Sequence, residues 1–352
     1  MKRNPLFISA FLILKDLINN TIQNSIHMKT TAFLGINLLK ISFLFSFLFC
    51  YSCSVENQDL VISKDEPKLP SSNFSKNGLG SGQKTYTFST AAGGKRSYYI
   101  SVPANYDNTK KYKLVFFFAG TDSTGESMYD WAGLGWNNLG LEKLMENTIF
   151  VYPDQKYVWD GDKGWALGNY GEYYAGMHDI QFTKELLDLI KNTYSIDNNR
   201  IFATGHSWGG DMTNVTAYFL KGVFRAIAPV ASNRPFWFED NGNFINEPGY
   251  LGNTAVWVFF GLNDDHFGST SPNGIFGKEQ ADFWILKNNG NPNQFTTKSI
   301  GNQGDVTKTY PGTSQVKLTL YQGGQYSGQG SLLGHQPPDY YFKAVTDWFK
   351  TF

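Results

Sequence analysis

From about Thr85 to the C-terminus, short runs of β-branched and aromatic residues alternate with longer stretches of helical spacing. Residues 98–102, ended by Pro103, together with 148–152, 200–204, 226–230, 254–260 and 316–321, have strand character. Residues 114–118 form an uninterrupted apolar run, the pattern of a strand buried on both faces. Leu186, Leu187, Leu189 and Ile190 recur at helical spacing within 180–194. Residues 208–220 fit a second helix, and 339–352 a closing one with Tyr341, Phe342, Val345 and Phe349 on one side. This alternation predicts an α/β domain over 85–352, with a mostly parallel central sheet flanked by helices. Residues 120–152 and 159–174 are rich in Gly, Trp, Tyr and Asn and read as loops beside the strand ends.

Upstream the pattern disappears. Residues 54–84 are rich in Ser, Asn, Lys, Gly and Pro with no sustained apolar period, and read as a flexible tether. Residues 28–53 have the order of an export signal. Met28-Lys29 is a short basic start, residues 33–51 are mostly apolar with Lys40 their single charge, and Ser52 precedes Cys53. That order resembles a bacterial lipoprotein signal in which Cys53 carries the lipid, although Cys50 stands where Leu is usual and Tyr51 is bulky. A plain signal peptide or a membrane anchor is the alternative, since the run approaches the spanning length of about 20 residues. Residues 1–27 add a second apolar stretch (7–14) that such a signal does not need, so Met28 is a candidate true start. The division is therefore 1–53 leader, 54–84 tether and 85–352 domain, placing the protein outside the cell or lipid-anchored in a bacterial envelope.

Composition narrows the chemistry. Lys plus Arg equals Asp plus Glu, 30 each, so there is no surplus of cations to neutralise phosphates, and nucleic acid is excluded as a main partner. Both cysteines, Cys50 and Cys53, lie in the leader, leaving the domain without a thiol nucleophile or a disulfide. Aromatics reach 16%, which suits stacking on sugar or phenolic rings as well as ordinary packing.

The most informative stretch is Gly205-His206-Ser207-Trp208-Gly209, a G-x-S-x-G nucleophile elbow. A serine on a sharp strand-to-helix turn needs glycines where side chains would clash. The following helix points its N-terminus at developing negative charge. Here a strand runs in, a helix leaves, and Gly210 adds a further small residue. Ser207 needs a base, and the base an orienting carboxylate, in the order Ser, acid, His that accompanies this elbow. Of the five histidines, His27 is in the leader, His178 precedes the serine, and His206 adjoins it. His266 lies inside the acid loop, so His335, just before the closing helix, is the candidate base. The acid follows strand 254–260: Asp264 is the choice and Asp265 the runner-up. For the oxyanion, the backbone N–H of Trp208 is one expected donor and that of Thr121 the other, with Gly120 an alternative.

These residues resemble a known group: the feruloyl and acetylxylan esterases of the first carbohydrate-esterase family and the related polyhydroxybutyrate depolymerase-like esterases, all α/β-hydrolases. The resemblance runs from Arg96-Ser-Tyr-Tyr-Ile-Ser-Val-Pro103 through Asp179-Ile-Gln-Phe-Thr-Lys-Glu-Leu-Leu187 to the segment Ser195 to Gly210, then Phe224 to Ala231 and Gly334-His335. It departs where the family has His-Gly and this chain has Ala119-Gly120, and in lacking disulfides. The resemblance implies an α/β-hydrolase fold and ester hydrolysis through an acyl-enzyme, with Ser207, His335 and Asp264 as triad and neither metal nor cofactor. A feruloyl esterase acting on esterified plant polysaccharide such as xylan is the leading expectation. An acetylxylan or polyhydroxyalkanoate esterase is the next, then a serine peptidase of the prolyl-oligopeptidase type, then an inactive glycan-binding lipoprotein. Trp165 is a candidate wall for the acyl or sugar group. Asp160 and Asp162 read as solvated loop carboxylates, because a calcium site needs about six oxygens.

Overall fold

The computed structural model describes residues 80–135, 139–159, 161–168, 176–240, 243–244, 250–325 and 332–352. The leader, nearly all of the tether and Asp160 lie outside the described residues.

Ten strands form one sheet: β1 (Gly82–Thr87), β2 (Lys95–Ser101), β3 (Tyr112–Phe118), β4 (Thr148–Pro153), β7 (Ile196–His206), β8 (Ala226–Val230), β11 (Ala255–Gly261), β12 (Thr296–Ile300), β13 (Asp305–Tyr310) and β14 (Val316–Tyr321). Three small two-stranded pairs, β5 (Tyr157–Trp159) with β6 (Asp162–Gly164), β9 (Glu239–Asp240) with β10 (Asn243–Phe244) and β15 (Gly324–Gln325) with β16 (Leu332–Leu333), stand apart from it. The sheet order is β1-β2-β4-β3-β7-β8-β11-β14-β13-β12. The six central strands are parallel, and two antiparallel strands close each edge. Strands β3, β4, β8 and β11 are buried almost throughout, which is why their sequences read as unbroken apolar runs.

Helices cover both faces. Along β11, Trp257 and Phe259 meet Trp348 and Tyr341 of the closing helix Tyr341–Phe349, at ring separations of 5.5 and 4.8 Å. The alternate residue Phe260 points the other way, onto Phe276 of helix Ile275–Lys287. That second helix ties to helix Trp208–Phe219 through the Trp284 indole N–H, which donates to Asn214 Oδ1 at 2.8 Å. This is the mostly parallel, helix-flanked sheet expected of an α/β-hydrolase.

The sheet begins earlier than the sequence suggested. Gly82, Gln83 and Lys84, placed in the tether, belong to β1 and pair with Ile100, Tyr99 and Tyr98 of β2. β1 is a polar edge strand with only one face half-buried, so its composition is indistinguishable from a linker.

Topology positions the site. From β3 the chain crosses to β4 on one side, and from β7 to β8 on the other, so the ends of β3 and β7 form the topological switch point of the sheet, where α/β sheets bind their ligands. The register pairs Phe118 with Gly205, which sets Gly120-Thr121 level with the elbow.

Candidate active site

Ser207 closes β7 and caps helix Trp208–Phe219 with φ 56° and ψ −125°, a backbone region that L-residues rarely occupy. Neighbouring glycines make this turn possible. A Cβ on Gly205 would strike the Gly209 carbonyl, one on Gly209 would strike the Phe118 carbonyl, and one on Gly210 would lie 2.7 Å from Ser232 Cβ. The G-x-S-x-G-G spacing is therefore the imprint of β3, β7 and the helix converging on one point. The Ser207 N–H donates to the Val230 carbonyl at 3.0 Å, which fixes the turn to β8.

His335 Nε2 stands 3.0 Å from Ser207 Oγ, although 128 residues separate the two in sequence. Its Nδ1 lies 2.9 Å from Oδ2 and 3.1 Å from Oδ1 of Asp264. A carboxylate can only accept, so Nδ1 carries the ring proton and Nε2 is left to accept from the serine hydroxyl. Asp264 is 2% exposed, and its Oδ1 also accepts the N–H groups of His266 and Phe267, at 2.9 and 3.0 Å. Those bonds hold the carboxylate facing the ring. Asp265 does something different: its Oδ1 accepts the backbone N–H of His335 at 2.8 Å. The two loops approach backbone to backbone, since a Cβ on Gly261 would strike the Gly334 carbonyl. A hydroxyl, an imidazole and a buried carboxylate in this chain can move a proton off the hydroxyl as its oxygen attacks.

Opposite His335 lies the loop after β3. A Cβ on Gly120 would sit 3.2 Å from the His206 carbonyl oxygen and 3.6 Å from Ser207 Cβ, so this loop lies close against the elbow and a side chain here would be tight. Among the described hydrogen bonds, neither the Thr121 N–H nor the Trp208 N–H has a partner. As the first residue of its helix, Trp208 has no intrahelical acceptor.

Trp165 is the correction. It is 0% exposed and offers no surface to a substrate. Its indole N–H donates at 2.8 Å to the Ala119 carbonyl, which also accepts from Gln155 Nε2 at 3.2 Å. An aromatic in a Gly-rich loop carries no mark in sequence of which way it turns; this one turns inward, because the Ala119 carbonyl gives its N–H a buried acceptor. Further contacts fix the same loop. The Asp122 N–H donates to the Lys163 carbonyl at 3.0 Å, and the Lys163 N–H to Asp122 Oδ1 at 2.6 Å, with Asp122 at φ 58°. The β5–β6 hairpin thus braces the loop from outside, while Trp165 and Gln155 brace it from behind.

His206 was excluded as the base because it adjoins Ser207. It lies within the cluster: its ring is 4.9 Å from that of His335 and 5.5 Å from that of Trp131, and its Nε2 is 2.8 Å from the His335 carbonyl oxygen. Burial, and then the neighbouring His335, push its pKa down to about 3. Among the described residues, no group of three or more His, Cys, Asp or Glu side chains gathers as a metal site.

Comparison with known proteins agrees with this picture. Residues 89–317 match the family model described as a putative esterase. A probable feruloyl esterase C of Aspergillus clavatus is 30% identical over 261 residues, 71% of this chain and 84% of that protein. A poly(3-hydroxyalkanoate) depolymerase C of Paucimonas lemoignei is 33% identical over 97 residues, 28% of this chain and 23% of that protein. The solved acetyl xylan esterase from Aspergillus awamori has the same fold, with a TM-score of 0.55 over 76% of this chain and 98% of that one, at 16% identity.

Proposed function

Because this chain belongs to the putative esterase family and is a carboxylic ester hydrolase of the feruloyl esterase type, we propose that it removes hydroxycinnamoyl groups from plant polysaccharide through an acyl-enzyme on Ser207. The observation that carries this reading is the unbroken chain from Ser207 Oγ through His335 to Asp264, at 3.0 and 2.9 Å.

In this reading Ser207 Oγ attacks the ester carbonyl carbon while its proton passes to His335 Nε2. The negative charge on the carbonyl oxygen meets the N–H groups of Trp208 and Thr121. As the tetrahedral intermediate collapses, the bond to the sugar oxygen breaks and His335 returns its proton to that oxygen. Water, deprotonated by the same ring, then releases the hydroxycinnamic acid. Asp264 holds the ring with Nδ1 protonated and stabilises the imidazolium. The export signal read in residues 28–53 supports action outside the cell, where such polymers are met, with a lipid on Cys53 as the tether's anchor. Among the described residues, no helix is long and apolar enough to cross a membrane.

The test is hydrolysis of methyl ferulate beside a short-chain acetyl ester, with wild type and Ser207→Ala. The expected result is a preference for ferulate that Ser207→Ala abolishes. A preference for the acetyl ester, equally dependent on Ser207, would overturn the substrate assignment and leave the esterase.

A further inference from the structure

The backbone of His335 is gripped at both its polar groups. Its N–H is taken by Asp265 Oδ1 at 2.8 Å, and its carbonyl oxygen lies 2.8 Å from His206 Nε2. Since a carbonyl can only accept, His206 Nε2 carries the proton and donates it. We propose that His206 and Asp265 are positioning residues that clamp the main chain of His335 and so set the distance between its Nε2 and the Ser207 hydroxyl. The inference rests on the Ser207–His335–Asp264 reading above.

Three observations carry it. First, His206 is the residue before Ser207, at the end of β7, so its hydrogen bond references the histidine loop to the same rigid strand that holds the nucleophile. Asp265 adjoins Asp264, so the second grip references that loop to the acid. The base is thereby located against both its partners through its backbone, independently of its ring contacts.

Second, His206 is itself held in place. Trp131 flanks its ring at 5.5 Å, and a Cβ on Gly120 would come within 3.5 Å of its Nδ1. A ring packed this way has little freedom to release the carbonyl. Third, His206 remains a neutral donor at working pH. Burial opposes a charge on it most strongly, the His335 and His266 rings add to that, and the His335 carbonyl and Asp264, which favour a charge, are outweighed. The clamp therefore does not switch off when the catalytic ring is protonated.

Sub-ångström placement is where such contacts act, because misplacing a reacting group by about 1 Å costs roughly a hundredfold in rate. The experiment compares His206→Phe, His206→Gln, Asp265→Ala and Asp265→Asn with wild type and Ser207→Ala. It uses p-nitrophenyl acetate and methyl ferulate, with kcat normalised to the sites titrated by a fluorophosphonate. His206→Phe and Asp265→Ala are expected to lose about tenfold to a hundredfold in kcat, with KM nearly unchanged. His206→Gln keeps a donor and Asp265→Asn keeps an acceptor, and both should recover to within about threefold of wild type. A merely structural role would lower the melting temperature and the titrated fraction but leave kcat per titrated site at the wild-type value. That result, or conservative variants as poor as the disruptive ones, overturns the clamp while a Ser207-dependent wild type leaves the esterase reading intact. Hydrolysis that survives Ser207→Ala overturns both.

Discussion

Two adjacent aspartates at the end of β11 have separate tasks, and the separation is geometric. Asp264 turns its carboxylate to the His335 ring, and Asp265 turns to the same residue's backbone. Asp264→Asn puts an amide donor or a weaker acceptor where Nδ1–H must be received, favouring the wrong tautomer. Its kcat should fall by about 10³- to 10⁴-fold in steady-state assays, and a loss under tenfold would contradict the assignment. Sequence could rank the two, because both follow the same strand, but not separate them: the direction of each side chain depends on the His266 and Phe267 N–H groups that capture Asp264. His335 was legible for a different reason. With five histidines and a fixed order of triad members, position alone selects it. His206 leaves a pH signature in stability. It takes a proton near 6.5 in the unfolded chain and near 3 in the folded one. Between those values the unfolded state binds more protons, so stability rises with pH across that window and falls on acidification. Wild type should therefore lose more thermal stability than His206→Gln between about pH 7 and about pH 4 in unfolding scans.

At the scale of elements, the loop after β3 is held in place from behind by buried side chains. Its Ala119 carbonyl accepts from the Trp165 indole N–H and from Gln155 Nε2. The Trp165 segment is held in turn. The Ala166 N–H donates to Asp179 Oδ2 at 2.7 Å, and the other oxygen of Asp179 pairs with buried Arg96 at 2.5 Å. The segments around Arg96 and Asp179 carried the family resemblance in sequence, and in space they meet behind the loop that faces Ser207. Trp165→Phe removes the hydrogen bond while keeping most of the packing. It should lower kcat by about tenfold with little change in melting temperature, because one donor to a buried carbonyl is worth only about 1 kcal/mol of stability; an unchanged kcat would show that Gln155 alone suffices. The elements that sequence missed share a physical cause. Helix Ile275–Lys287 buries Gln280, Ala281, Phe283, Trp284 and Ile285 around much of its circumference, so it shows no apolar stripe. Strand β12 is almost wholly exposed and reads as loop. Both owe their form to neighbours rather than to their own pattern.

For the molecule as a whole, the alternation of strands and helices was enough to predict the central sheet. Four of its six parallel strands, β3, β4, β8 and β11, are buried on both faces and are therefore apolar along nearly their whole length. The edges were not legible, because β1 and β12 pair with a single neighbour and β13, which pairs with two, buries only one face, so all three can remain polar. The arrangement brings the loop after β3, the elbow at Ser207, Asp264 and His335 together at one end of the parallel strands, with His335 on the Ser207 hydroxyl. The most direct measurement is therefore of that hydroxyl. Wild-type protein would be treated with a fluorophosphonate, digested, and the adduct located by mass spectrometry. One adduct is expected, on the peptide containing Ser207, absent in Ser207→Ala and formed far more slowly in His335→Ala. An adduct on another serine, or labelling at Ser207 as fast without His335 as with it, would contradict the Ser207–His335 pair.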